Sequence, residues 1–121
     1  MSFTLDIREF AEAAGLELEL VTRKVALDAY SRVTRKTPVD TGRARANWNV
    51  GAGRPDLSTT KGGESSPSPS LKKGDGEAAI YITNNLDYIS DLEDGSSKQS
   101  PNGMVSVTML ELEAGIKNVL R

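Results

Sequence analysis

Residues 37–48 have the sequence TPVDTGRARANW, and the character of the chain changes across them. Pro38 disfavours helical backbone at the residue before it, so a helix that reaches this point must end here. Asp40 and Thr41 can bond nearby backbone amides through their side chains, and Gly42 adopts unusual backbone angles without steric cost. The stretch therefore predicts a helix end, a structural turn formed by Pro38, Asp40, Thr41 and Gly42, and a new element beyond it.

Upstream of this turn, the apolar residues recur at helical spacing. From residue 3 to residue 33 they stand three or four positions apart, which is typical of an amphipathic helix. Gly15 interrupts the pattern, because a glycine inside a helix costs about 1 kcal/mol relative to alanine. The sequence predicts either one kinked helix or a short helix followed by a long one, with the long helix ending at Lys36 or Thr37.

Downstream of the turn, apolar and polar residues alternate. Residues 44–50 follow this pattern and predict a strand with Trp48 on its inward face. Residues 78–83 predict a second strand, with Ile80 and Ile82 together on one face. We therefore expect a small antiparallel sheet whose core includes Trp48, Ile80 and Ile82.

The segment between the two predicted strands has the composition of a loop. Fourteen of the 26 positions in residues 51–76 are Gly, Pro or Ser. Such a segment buries too little apolar surface to offset the entropy of ordering it. We expect residues 51–76 to form a long mobile loop, either at the tip of a hairpin or as an arm that becomes ordered against a neighbouring subunit.

The C-terminal part of the chain has two further helical patterns. Apolar residues three apart between positions 86 and 92 predict one or two helical turns that end at Gly95. Thr108 and Glu111 form a capping-box pair, which predicts the start of a C-terminal helix. The sequence therefore predicts one α+β domain over residues 1–121, with a long N-terminal helix and a C-terminal helix packed on a small antiparallel sheet.

Composition excludes much of enzyme chemistry. The 121 residues include no His and no Cys, so the chain cannot build a Ser-His-Asp triad, an HExxH zinc site, a zinc-thiolate site or a cysteine nucleophile. We expect no enzymatic activity, no cofactor and no metal. No run approaches the roughly 18 apolar residues of a membrane span, and the N-terminus has no signal-peptide pattern, so we expect an unprocessed chain without membrane contact.

The charges are distributed unevenly although the formal net charge is only −2. Between Arg23 and Arg45 there are seven basic and two acidic residues, whereas the four charged residues from Asp87 to Asp94 are all acidic. The acidic run lacks the ligand spacing of a calcium loop, which favours a solvated face. The basic segment leaves open a small nucleic-acid-binding module, although Tyr30 is its only aromatic residue and stacking on single strands needs aromatic platforms.

Asp40-Thr41-Gly42 also matches the catalytic turn of retroviral-type aspartic proteases. That chemistry requires two carboxylates that share a proton at the centre of an all-β dimer. Here a basic helix precedes the turn, and Arg43 and Arg45 follow it. An aspartic-protease-like enzyme is therefore the least favoured alternative, and a structural turn is favoured.

Several short motifs follow one another along the chain before a C-terminal helix: TPVDTGRARANW at 37–48, ITNN at 82–85, YI at 88–89, LE at 92–93, GSS at 95–97 and PNGMV at 101–105. In this order they resemble the tailed-bacteriophage tail-component family of minor tail protein Z-like, tail-completion and head–tail joining proteins. The resemblance covers nearly the whole chain apart from residues 51–76, and Asp94 departs from it because an aromatic residue commonly precedes the glycine.

The resemblance implies a structural protein of the virion neck or tail, made in the host cytoplasm. Copies would form a ring, expected to be a hexamer, that completes the tail tube and joins it to the head–tail connector near the portal. DNA would pass through the lumen without specific binding. In such a ring each subunit presents different surfaces to its two neighbours, so oppositely charged faces are useful. The candidate subunit-interface residues are Arg32, Arg35, Lys36, Arg43, Arg45, Asp87, Asp91 and Glu93.

Overall fold

The computed structural model describes Glu12 and residues 15–38, 43–59, 71–77, 79–95, 97–99 and 101–120. The predicted turn residues Asp40, Thr41 and Gly42 lie outside the described residues. The described elements are helix α1 (Leu18–Lys36), short helix α2 (Arg43–Ala46), strand β1 (Trp48–Ala52), a 3-10 turn (Asp75–Glu77), strand β2 (Ile80–Asn84), short helix α3 (Ile89–Glu93) and helix α4 (Val105–Leu120). This is the predicted α+β class, with a long helix near the N-terminus and a helix at the C-terminus.

Helix α1 begins after the break at Gly15 and ends where the proline requires it. Gly15 has a φ of +67°, a left-handed conformation that disrupts a helix and suits glycine. The long helix therefore starts beyond Gly15, at Leu18, and the residues before Gly15, apart from Glu12, lie outside the described residues. At the other end the last helical residue is Lys36, and the Thr37 N–H donates to the Thr34 C=O over 3.2 Å.

The sheet consists of β1 and β2, paired antiparallel with Trp48 opposite Asn84 and Ala52 opposite Ile80. The prediction of a strand beginning at residue 44 is wrong, because residues 43–46 form the short helix α2. Two side chains hold that helical turn: Asn84 Nδ2 donates to the Ala44 C=O over 2.9 Å, and Asn47 Nδ2 donates to the Arg43 C=O over 2.7 Å.

One hydrophobic core joins the helices to the inner face of the sheet. Trp48 and Ile82 are buried in it, as predicted, whereas Ile80 is half-buried because it lies at the solvent end of β2. Helix α4 packs mainly against α1 and contributes Leu112 to the same core. The buried members are Ala29, Tyr30, Val33, Ala44, Trp48, Ile82, Leu86, Ile89, Met104 and Leu112.

The two ends of the long glycine-rich and serine-rich segment are anchored to the domain. The C=O of Asp56 accepts from Thr83 Oγ1 over 2.8 Å and from Asn85 Nδ2 over 3.0 Å, which fixes residues 54–58 across the outer face of the sheet. The backbone of residues 74–76 is bound to the carboxylate of Glu19 on α1. Residues 51–59 and 71–76 of the predicted mobile loop are thus part of the ordered domain, and residues 60–70 lie outside the described residues.

The C-terminal helix starts earlier than its predicted cap. Helix α4 begins at Val105, so the prediction that Thr108 and Glu111 form its capping box is wrong. Thr108 lies inside the helix with its side chain fully buried. The short helix α3, in contrast, lies in the predicted place, and Gly95 directly after it has a φ of +90°.

Candidate interaction surface

Two of the basic interface candidates are used within the chain, where they join α1 to α4. Arg32 contacts Asp28 Oδ2 at 3.0 Å and Glu111 Oε1 at 3.2 Å, and Lys36 Nζ lies 2.6 Å from the same Glu111 oxygen. Lys36 and then Arg32 lower the pKa of Glu111, and the hydrogen bond to Asp28 raises the pKa of Arg32. These two cations stabilise the packing of the helices instead of forming a free basic face.

The other basic candidates surround the end of α1. Arg45 Nη2 donates to the C=O groups of Arg35 and Thr37, each over 3.1 Å, so a cation sits at the negative end of the helix dipole. Arg35 Nε donates to the Ser31 C=O over 3.3 Å. The Arg43 guanidinium lies 6.0 Å from the centre of the Tyr88 ring, at the limit of a cation–π contact.

Among the acidic candidates, Glu93 has an internal role. Its carboxylate accepts from the N–H groups of Met104, Val105 and Ser106 over 2.9, 2.8 and 3.0 Å, and from Ser106 Oγ over 2.7 Å. Burial alone would raise the pKa of Glu93, but these donors outweigh it and lower the pKa. Glu93 is thus the N-terminal cap of α4, supplied by another helix, while Asp87 and Asp91 remain exposed.

Glu19 also has an internal role, although it is not among the interface candidates. It is only 8% exposed, and it accepts from Arg23 as well as from the N–H groups of Gly74 and Gly76 over 2.6 and 3.2 Å. The hydrogen bond from Arg23 has the largest effect on the pKa of Glu19, and together with the two backbone donors it lowers that pKa against the effect of burial. The spacing of four between Glu19 and Arg23 predicts their pairing on a helix, but nothing local predicts the contact with Gly74.

One buried hydrogen bond joins the end of α1 to Trp48, a core candidate. Trp48 Nε1 donates to Thr37 Oγ1 over 2.7 Å, and Thr37 Oγ1 in turn donates to the Val33 C=O over 2.6 Å. Pro38 is buried next to this contact. The helix end and the start of the sheet are therefore fixed to each other by the residues that the opening stretch of sequence supplies.

Two open grooves lie on the described surface. One is lined by Tyr88, Asp91, Leu92, Asp94 and Gly95, beside α3. The other is lined by residues 50–52 of β1 and by residues 54–57, where the Leu57 side chain is 73% exposed. Both are shallow surfaces with apolar and polar walls, which suits contact with another macromolecule.

Metal-binding clusters and membrane-spanning helices were both sought among the described residues. No group of three or more Asp or Glu side chains that could hold a metal ion occurs among them. No helix in the described part of the chain is both long and apolar enough to cross a bilayer. Comparison of the chain with protein-family models, with curated protein sequences and with solved structures found no match.

Proposed function

We propose that this chain is a structural subunit of a tailed-bacteriophage virion. In this proposal, copies form a ring, expected to be a hexamer, that completes the tail tube and joins it to the head–tail connector. The protein would have no enzymatic role, and its partners would be other copies of itself, the tail tube protein and the proteins near the portal.

The observation that supports this proposal is the place of the motif residues in the fold. Thr37 and Trp48, from the first motif, are hydrogen bonded to each other. Asn84, from the second motif, binds the backbone of the first motif at Ala44, and Glu93, from a later motif, caps α4. The resemblance to the tail-component family therefore rests on side chains that fix the arrangement of the elements and not on surface composition.

The charges and the fold also favour a structural role over the two alternatives, a nucleic-acid-binding module and an aspartic-protease-like enzyme. Arg32, Lys36 and Arg45 contact groups of their own chain, which weakens the case for a basic nucleic-acid footprint and agrees with DNA passing a ring without specific binding. The aspartic-protease alternative needs an all-β dimer, whereas the described fold is α+β with two strands.

The proposal is tested by phage particles produced without this chain. We expect heads and tails to accumulate unjoined, with normal tail tubes in electron micrographs and with joining restored when the wild-type chain is supplied. Infectious, joined particles that lack the chain would contradict the proposal.

A further inference from the structure

The outer edge of β1 carries backbone groups that the fold does not pair. The Gly53 N–H donates to the Ala79 C=O over 2.8 Å, so residues 49, 51 and 53 exchange hydrogen bonds with β2 in this register. The N–H and C=O groups of Val50 and Ala52 consequently point away from β2. Within the part of the chain that the structure describes, these groups have no hydrogen-bond partner.

A groove with a fixed wall lies beside β1 on the outer face of the sheet. Residues 50–52 form one side and residues 54–57 form the other, with Leu57 exposed above it. The wall is held by the bonds to the Asp56 C=O and by Asn49 Nδ2, which donates to the Ser58 C=O over 2.9 Å. At Gly51 a Cβ would clash with the Arg54 C=O oxygen, so only glycine allows this close approach. The groove is therefore a built feature of the fold.

The two strands carry neither of the residue types that commonly protect an open sheet edge, which are charged residues and proline. Neither β1, with the sequence WNVGA, nor β2, with the sequence IYITN, contains a charged residue or a proline. Ala52 is exposed and Ile80 is half-buried, so both strands are accessible at the same end of the hairpin.

We propose that the β1 edge of one copy pairs with the β2 edge of a second copy, at Val50–Ala52 and Ile80. Ile80 lies opposite Ala52 in a pair without mutual hydrogen bonds, so its own N–H and C=O also point outward. Strand addition would satisfy the outward groups of Val50, Ala52 and Ile80. Because each copy uses two different edges, the contact is heterologous and can close a ring.

This inference deepens the proposed function and rests on it only for the closure of the ring. It also replaces the basic segment 23–45 as the expected contact, because Arg32, Lys36 and Arg45 are engaged within the chain. The surface that joins the copies is instead an uncharged sheet edge.

The first test measures molar mass by light scattering across a concentration series. Wild type should increase from single-chain mass to a larger assembly as the concentration rises. Ala52→Lys places a charge on the edge, and Val50→Pro removes an outward N–H without removing a bond between β1 and β2. Each should raise the concentration needed for assembly about tenfold or more. Ala114→Lys, on the exposed face of α4, is the matched control and should behave like wild type.

The second test is a cross-link, made possible because the chain has no cysteine. Ala52→Cys and Ile80→Cys are placed on separate proteins, since the two positions face each other within one chain. Mixed and oxidised, they should form a disulfide-linked heterodimer faster than Ala52→Cys mixed with Ala114→Cys. The proposal is wrong if wild type stays at single-chain mass at every concentration, if Ala52→Lys assembles like Ala114→Lys, or if the two cross-linking rates are equal.

These outcomes separate the inference from the proposed function. Assembly that Ala52→Lys does not affect, in a chain whose removal leaves heads and tails unjoined, would overturn the edge contact alone. Assembly through the edge, in a chain whose removal leaves joined and infectious particles, would overturn the virion function alone.

Discussion

At the scale of single residues, a few polar side chains hold the elements of this small domain in place. Glu93 joins α3 to the start of α4, and Thr37 joins the end of α1 to the sheet through Trp48. These contacts are made by groups that are wholly or partly buried, where a missing partner is costly. Substitution of such a residue should change stability more than substitution of an exposed charge does.

Glu93→Ala should lower the free energy of unfolding by about 1–2 kcal/mol, because the first N–H groups of α4 lose their acceptor. Asp91→Ala, an exposed carboxylate on the same short helix, is the control and should change stability by less than about 0.5 kcal/mol. Urea unfolding measures both values. Equal effects of the two variants would show that Glu93 does not cap α4.

Thr37→Val should destabilise the protein by about 1–3 kcal/mol, because the buried Trp48 N–H loses its acceptor. Thr34→Val provides a comparison on the same helix, since Thr34 Oγ1 is buried without a hydrogen-bond partner among the described residues. That change should be neutral or slightly stabilising. Thermal unfolding of the two variants measures this difference. A larger loss of stability in Thr34→Val than in Thr37→Val would contradict the prediction.

Stability should decrease in acid because of three carboxylates. The pKa values of Glu19, Glu93 and Glu111 are lowered in the folded chain from their usual value of 4.5. Below that value the unfolded chain therefore binds more protons, and the free energy of unfolding falls as the pH falls. Urea unfolding from about pH 7 to about pH 3 should show this loss, with a shallower decrease in Glu93→Gln. A wild-type curve that is flat across this range would contradict it.

At the scale of elements, the sequence predicted what depends on local pattern. The end of α1 before Pro38, the break at Gly15 and the short helix before Gly95 each follow from residue spacing and backbone preference, and the structure confirms them. The start of β1 could not be predicted from the local pattern, because alternation over residues 44–46 fits a helical turn as well as a strand. Short apolar patterns do not separate these two structures, and the distant Asn84 decides the outcome.

The start of α4 shows the same limit. Thr108 and Glu111 satisfy the local pattern of a capping box, yet the cap comes from Glu93, eleven to thirteen residues upstream. Glu93 was predicted to lie on a subunit surface, because neighbouring residues indicate neither its burial nor its partners. Contacts between distant segments thus account for most of what sequence reasoning missed.

The segment before β2 should be released from α1 when its acceptor is weakened. Glu19→Gln removes the charge that binds Arg23 and the N–H groups of Gly74 and Gly76. We expect the amides of these two glycines to exchange hydrogen several-fold faster. Glu17→Gln, at an exposed position two residues earlier, is the control. Unchanged exchange in Glu19→Gln would show that this carboxylate does not anchor the segment.

At the scale of the whole molecule, the distribution of charge and the small size of the sheet both bear on how copies could assemble. Arg23, Arg32 and Lys36 pair with carboxylates of the same domain. Exposed acidic groups lie beside α3, and the strand β1 carries no charge. A two-stranded sheet depends on packing against a helix or on further strands, and here its inner face packs on the helices. Under the proposed edge contact, strands from neighbouring copies would add to this packing.

Assembly of this chain into a ring at the end of a tail tube is the proposal on which the function depends. It can be tested with electron micrographs of the purified protein, alone and mixed with tail tubes. We expect closed rings, six-fold in projection, that bind at one end of each tube, and we expect Ala52→Lys but not Ala114→Lys to abolish them. Bare tube ends and single chains at every protein concentration would contradict it.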